Sequence, residues 1–120
     1  MDNKTTVEDL KNLVKTFCDQ RDWDQFHNPK ELAIGISTEA NELLQIFRFK
    51  NEEQMKELMS SNKKNEVQEE LADVVYFALR FAQMNDIDLS SAIIDKIEKN
   101  NAKYPVDKAK GCNKKYNEYK

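Results

Sequence analysis

Asn28-Pro29-Lys30-Glu31-Leu32-Ala33-Ile34-Gly35-Ile36-Ser37-Thr38-Glu39-Ala40-Asn41-Glu42-Leu43-Leu44-Gln45-Ile46-Phe47 is the stretch that decides the fold class. Asn28 reads as a helix cap, Pro29 takes the first helical position where a missing N–H does no harm, and Glu31 follows three residues after the cap. Leu32, Ile36, Ala40, Leu43 and Phe47 then recur at helical spacing and trace an apolar face to about Phe49. Gly35 lies inside this helix at a cost of about 1 kcal/mol against Ala. Close approach of another helix or a ligand would justify it.

The same period governs the flanks. Toward the N-terminus, a first helix starts at Thr5 or Thr6, where Thr5-x-x-Glu8 resembles a capping box. Val7, Leu10, Leu13, Val14, Phe17 and Cys18 form its apolar stripe. Asp22-Trp23-Asp24-Gln25-Phe26-His27 breaks the pattern and reads as an aromatic-rich loop. Beyond Phe49, residues 50–65 form a polar connection with a short helix at 52–59. A third long helix runs from about Asn65 to Met84, with Val67, Leu71, Val74, Val75, Ala78, Phe81 and Ala82 on its core face. Asp88 caps a fourth, from Leu89 to about Lys103, whose buried positions are Leu89, Ile93 and Ile97. Pro105 ends it, and residues 106–120 read as extended and polar. These elements predict an all-α, four-helix bundle-like domain over residues 1–110 and a basic tail over 111–120.

Composition agrees. The 120 residues include two Gly and two Pro, where average usage gives about 14 together. So few turn formers exclude a β-sandwich, a barrel or a doubly wound sheet. Net charge is −3 and the pI about 5.3, which argues against a nucleic-acid polymer as partner. Charge is unevenly spread: residues 1–95 hold 11 basic and 19 acidic groups, residues 96–120 hold 8 and 3. Carboxylates ahead of a basic end could hold a cation and an anion together; the plain alternative is a solvated surface with a Lys-rich tail. Apolar runs are too short for a membrane span, and the N-terminus lacks the apolar core of a signal peptide. Cys18 and Cys112 show neither metal-ligand spacing nor a disulfide framework. A cytoplasmic location with reduced thiols is expected.

Two helices carry unusual acids. Glu39 and Glu42 interrupt an apolar helix, and Glu70 and Asp73 precede the most apolar stretch of the chain, Val74 to Ala82. Residues three apart share a helix side, so each segment presents two carboxylates together. Four such groups near a bundle interior repel unless a cation holds them, and oxygen-only ligation suits Mg²⁺ or Mn²⁺. Exposed solubilising acids are the plain alternative. A ferritin-like di-iron site fits poorly, because it needs Glu-x-x-His on two helices and the one histidine, His27, lies in a loop with no convincing partner. Lys96, Asn100 and Lys103 make a stripe of donors on the fourth helix, suited to phosphate. Tyr104 beside Pro105 either closes that stripe or caps the core. Trp23, Phe26, Phe47 and Phe49 offer stacking surfaces for a base, or ordinary packing.

In this order the residues resemble a known family. Glu39-x-x-Glu42 followed by Glu70-x-x-Asp73 resembles the ExxE…ExxD signature of the all-α nucleoside triphosphate pyrophosphohydrolases, the MazG-like superfamily. Arg21-Asp22-Trp23-Asp24-Gln25-Phe26-His27-Asn28-Pro29 is similar to the RDWxQFHxP segment of its dCTP pyrophosphatase branch. Phe47-Arg48-Phe49-Lys50 resembles FQWK, and Lys96-x-x-x-Asn100-x-x-Lys103-Tyr104-Pro105 resembles KxxxNxx(R/K)YP. The resemblance implies Mg²⁺ on the four acids and water attack at the α-phosphorus, releasing monophosphate and pyrophosphate. Glu39 or Glu42 is expected to activate that water. The resemblance also implies phosphate contacts from Lys96, Asn100 and Lys103, base stacking by the aromatics, and a homodimer or homotetramer whose sites draw on neighbouring subunits. Three positions depart from the branch: Val14 in place of a His, Phe49 in place of a Trp and Phe77 in place of a Tyr. Fewer hydrogen-bonding groups weaken discrimination between bases, so a pyrimidine-tolerant pocket is expected. Two competing readings are a non-catalytic helical nucleotide-binding or interaction module of the same fold, and an enzyme acting on dUTP or a phosphoribosyl-nucleotide.

Overall fold

A computed structural model describes residues 1–119. They form six α-helices: α1 (Val7–Asp19), α2 (Pro29–Phe47), α3 (Glu52–Ser60), α4 (Lys64–Met84), α5 (Leu89–Lys103) and α6 (Val106–Ala109). Two single 3₁₀ turns, Asp24–Phe26 and Tyr116–Glu118, complete the secondary structure, and there is no strand among the described residues. The expected all-α class is what the chain adopts. Among the described residues no helix is long and apolar enough to cross a membrane.

The caps explain the boundaries. Asn28 Oδ1 accepts from the Glu31 N–H at 2.8 Å, and Pro29 opens α2. Asp88 caps α5 through the Ser91 N–H. For α1 the capping box is Thr6 with Asp9, each accepting the other's backbone N–H at 3.0 Å. Thr5 and Glu8 do not form it, a one-residue correction that follows from both pairs satisfying the same sequence pattern. A second box, Asn51 with Gln54, opens α3.

The chain divides into two compact units, Met1–Asp86 and Ile87–Lys120. In the first, α4 is the central rod against which α1, α2 and α3 pack. Cys18, Leu32, Leu58, Val67, Leu79 and Ala82 are its buried apolar residues. Gly35 is where α2 meets α4: a Cβ there would lie 2.5 Å from the Phe77 ring. Helix contact is therefore the reason for this glycine. Several positions expected in the core remain exposed in the single chain, Leu13 at 66%, Leu71 at 50% and Val75 at 44% among them. One 120-residue chain has too few apolar layers to cover every stripe it carries.

In the second unit, Ile93 and Ile97 on α5 are likewise exposed rather than buried. The segment after Pro105 is not extended. It turns through α6 and the Tyr116–Glu118 turn, and Tyr104 meets Tyr116 and Tyr119 edge-on at 5.9 and 6.0 Å. Lys103 Nζ lies 4.9 Å from the Tyr116 ring centre. Ring contacts, invisible to a polarity count, fold this basic segment.

Candidate active site

The apolar faces of α2 and α4 bring their acids together. Glu39, Glu70 and Asp73 each offer a carboxylate oxygen within 4.8 Å of the others. Glu42 is exposed but close enough to interact with the carboxyls of both Glu39 and Glu70. Burial is the main cause that pushes the Glu39 and Glu70 carboxyls above the usual carboxylate range. Hydrogen bonding to Glu42 and repulsion from the other acids add to it.

Glu39 Oε2 and Glu70 Oε2 are buried and lack any hydrogen-bond partner. Burying a polar atom unpaired is costly. An oxygen-only donor set with two orphaned oxygens fits a hard divalent cation, so these residues suit the metal that the acid pairs imply.

Beside the acids opens a cavity of about 490 Å³ lined by Leu13, Val14, Phe17, Trp23, Glu39, Asp73, Tyr76 and Phe77. Glu39 and Asp73 thus belong both to the carboxylate cluster and to the cavity wall. Trp23 reaches the wall from the turn after α1, edge-on to Phe17 at 5.5 Å. It packs the turn against α1 and faces the cavity. Val14 and Phe77 line the same space.

Phe49 is not among the lining residues. Its φ of 67° turns the chain out of α2, and the side chain is 89% exposed with the Arg48 guanidinium 4.6 Å above its ring. In the single chain it therefore stands apart from this cavity. Lys96, Asn100, Lys103 and Tyr104 all lie in the second unit, the first three on α5.

Sequence reading missed two groups. Tyr76 lines the cavity with its phenol oxygen 3.1 Å from the fully buried Cys18 sulfur. Burial first, and Cys18 second, raise the pKa of this phenol well above its ordinary value. The other group is Arg80, 1% exposed, which pairs with Asp24 and donates through Nε to His27 Nδ1 at 3.0 Å. His27 thus has a structural partner in Arg80 rather than a nucleophile. The available signal was a single charge inside the apolar stretch Val74 to Ala82.

Comparison with known proteins agrees with this geometry. The MazG-like family model matches residues 34–119. The dCTP pyrophosphatase 1 of Bos taurus is 33% identical over 115 residues, 95% of this chain and 68% of that protein. The Homo sapiens protein of the same name is 33% identical over 114 residues, 94% of this chain and 67% of that protein. This chain thus spans about two thirds of their length. A pyrophosphatase from Archaeoglobus fulgidus, solved as a crystal structure, superposes with a TM-score of 0.77 at 38% identity, covering 82% of this chain and 91% of that one. The chain belongs to the MazG-like family. Within that family it is an enzyme of the pyrophosphohydrolase class.

Proposed function

We propose that the protein is a Mg²⁺-dependent nucleoside triphosphate pyrophosphohydrolase that converts dCTP or related pyrimidine nucleotides to monophosphate and pyrophosphate, cleaning the nucleotide pool. One observation carries the proposal: Glu39 and Asp73 belong at once to a carboxylate cluster and to an apolar, aromatic-walled cavity. A nucleotide has the matching polarity, with a phosphate chain at one end and a flat base at the other.

Glu39, Glu42, Glu70 and Asp73 would hold the metal. Once bound, Mg²⁺ (or Mn²⁺) neutralises the acids and polarises phosphoryl oxygens, which stabilises charge developing at the α-phosphorus. Glu39 or Glu42 accepts the proton of the attacking water at a carboxylate oxygen. Trp23 stacks on or packs against the base, worth on the order of 1–3 kcal/mol without reading its hydrogen-bonding edge. Val14 and Phe77 add apolar wall, and the Tyr76 hydroxyl is engaged by Cys18. Such a lining supports pyrimidine tolerance rather than strict cytosine reading. Phosphate contacts are assigned to Lys96, Asn100 and Lys103, with Tyr104 beside them, on donor chemistry alone. The uncovered stripes at Leu13, Leu71 and Val75 support a homodimer or homotetramer, and the two free cysteines suit a reducing cytoplasm.

The test is a screen of nucleoside triphosphates with Mg²⁺, with and without chelator, detecting pyrophosphate separately from phosphate. Pyrophosphate plus monophosphate, lost on chelation, is expected. Diphosphate plus free phosphate as the main products would rule out this bond choice.

A further inference from the structure

We propose that Arg80 is a positioning residue that sets the Trp23 wall of the cavity, acting through Asp24 and His27. The inference rests on the nucleotide reading above for its functional consequence. Arg80 sits on α4, is 1% exposed, and spends its donors on one short segment and its own helix. Nη2 pairs with Asp24 Oδ1, Nε donates to His27 Nδ1 at 3.0 Å, and Nη1 donates to Gln83 Oε1 at 2.6 Å. Asp24 and His27 are the two ends of the turn that follows Trp23. That turn is closed by the His27 N–H donating to the Asp24 carbonyl at 3.2 Å and the Phe26 N–H donating to the Trp23 carbonyl at 2.9 Å. A guanidinium is a planar fork of fixed geometry. Two prongs on the two ends of one turn fix that turn's orientation on α4, and with it the indole that precedes it.

Stability alone is a poor reason for this arrangement. Taking the Arg80 guanidinium out of water is costly, and its partner Asp24 is largely solvated, which weakens the return from pairing. What the network supplies is placement. The Trp23 ring makes T-shaped contacts with Phe17 at 5.5 Å and His27 at 6.0 Å. His27 is itself held by Arg80, so one of the two ring contacts that steady the indole also passes through the guanidinium.

The test uses Asp24→Ala, whose side chain is 61% exposed and so removable without opening the core, with Arg80→Lys, which keeps the charge and loses the fork. Trp23 is the single tryptophan of the chain, so acrylamide quenching of its fluorescence reads the indole directly. In both variants the quenching constant should rise about twofold. KM for dCTP should rise about tenfold with kcat little changed, a factor within the range of one stacking contact. A folded Asp24→Ala protein with a lowered Tm but wild-type KM and quenching overturns the proposal. So does a change in only one of the two readouts. If the wild type fails to hydrolyse dCTP, the reaction assignment falls. The quenching comparison, with and without nucleotide, still decides whether Arg80 places Trp23.

Discussion

Gly35→Ala should destabilise the protein by about 1–2 kcal/mol, although Ala is the better helix former. The added Cβ would sit 2.5 Å from Phe77 Cδ1, 2.6 Å from Cε1 and 2.9 Å from Cγ, where ordinary carbon contacts lie at about 3.5–4.0 Å. The ring must therefore retreat by roughly 1 Å. Cγ is the root of the ring, so rotation about χ2 cannot relieve that contact. Either α2 lifts from α4 or the whole side chain swings about χ1. Overpacking of this kind costs about 1–3 kcal/mol, and the upper half applies because backbone or rotamer must move. Against it stands a propensity gain of about 1 kcal/mol. Urea unfolding monitored by circular dichroism measures the difference, and Tm should fall by roughly 4–8 °C. Phe77 also lines the cavity, so KM for the nucleotide should rise, and Gly35→Ala with Phe77→Leu should recover much of the stability. A Gly35→Ala protein more stable than wild type would refute the reasoning, because propensity would then outweigh the clash.

Glu70→Gln should raise the Tm of the chelator-treated protein at pH 7, since burial and Glu42 already disfavour its charged form, while abolishing both turnover and the stabilisation given by Mg²⁺; melts with and without metal check both. Trp23→Ala should raise KM for all pyrimidine triphosphates by about tenfold, the weight of a stacking contact, and unchanged Michaelis constants would assign Trp23 to packing alone. Burial, then the Arg80 charge, holds His27 below its ordinary pKa of 6.5, so the neutral ring belongs to the folded state. Its contribution is complete above pH 6.5 and declines as pH falls toward and through the lowered value, and His27→Gln should flatten the stability profile on the acid side of pH 6.5, as urea unfolding at a series of pH values measures.

Helix positions and the acid pairs were legible because both follow from local rules. The 3.6-residue period places Glu39 with Glu42 and Glu70 with Asp73, and capping chemistry marks Asn28 and Asp88 to the residue. Thr5 and Thr6 show where such rules stop: two overlapping boxes satisfy one pattern, and only the built helix selects Thr6. Tyr76 and Arg80 were missed for a different reason. Their roles depend on Cys18, 58 residues away, and on Asp24, 56 residues away, and no periodicity encodes a contact at that separation. The direction of the Phe49 side chain was not legible, because a positive φ at one residue redirects it, a feature that composition does not carry for a bulky aromatic.

Asp73 and Arg80 stand seven residues apart on one helix. That interval is close to two turns, so both point to the same side of α4 with their backbones about 10 Å apart along its axis. One addresses the carboxylate cluster, the other the turn that bears Trp23. The rod thus acts as a gauge whose graduations are helical turns. An insertion in the loop after α1 can be absorbed by that loop, but one residue added between 73 and 80 would rotate one end by about 100° against the other. The separation between the carboxylate cluster and the Trp23 turn is consequently written into α4 in steps of a turn, and it can be adjusted through side chains on the gauge but not finely through its spacing.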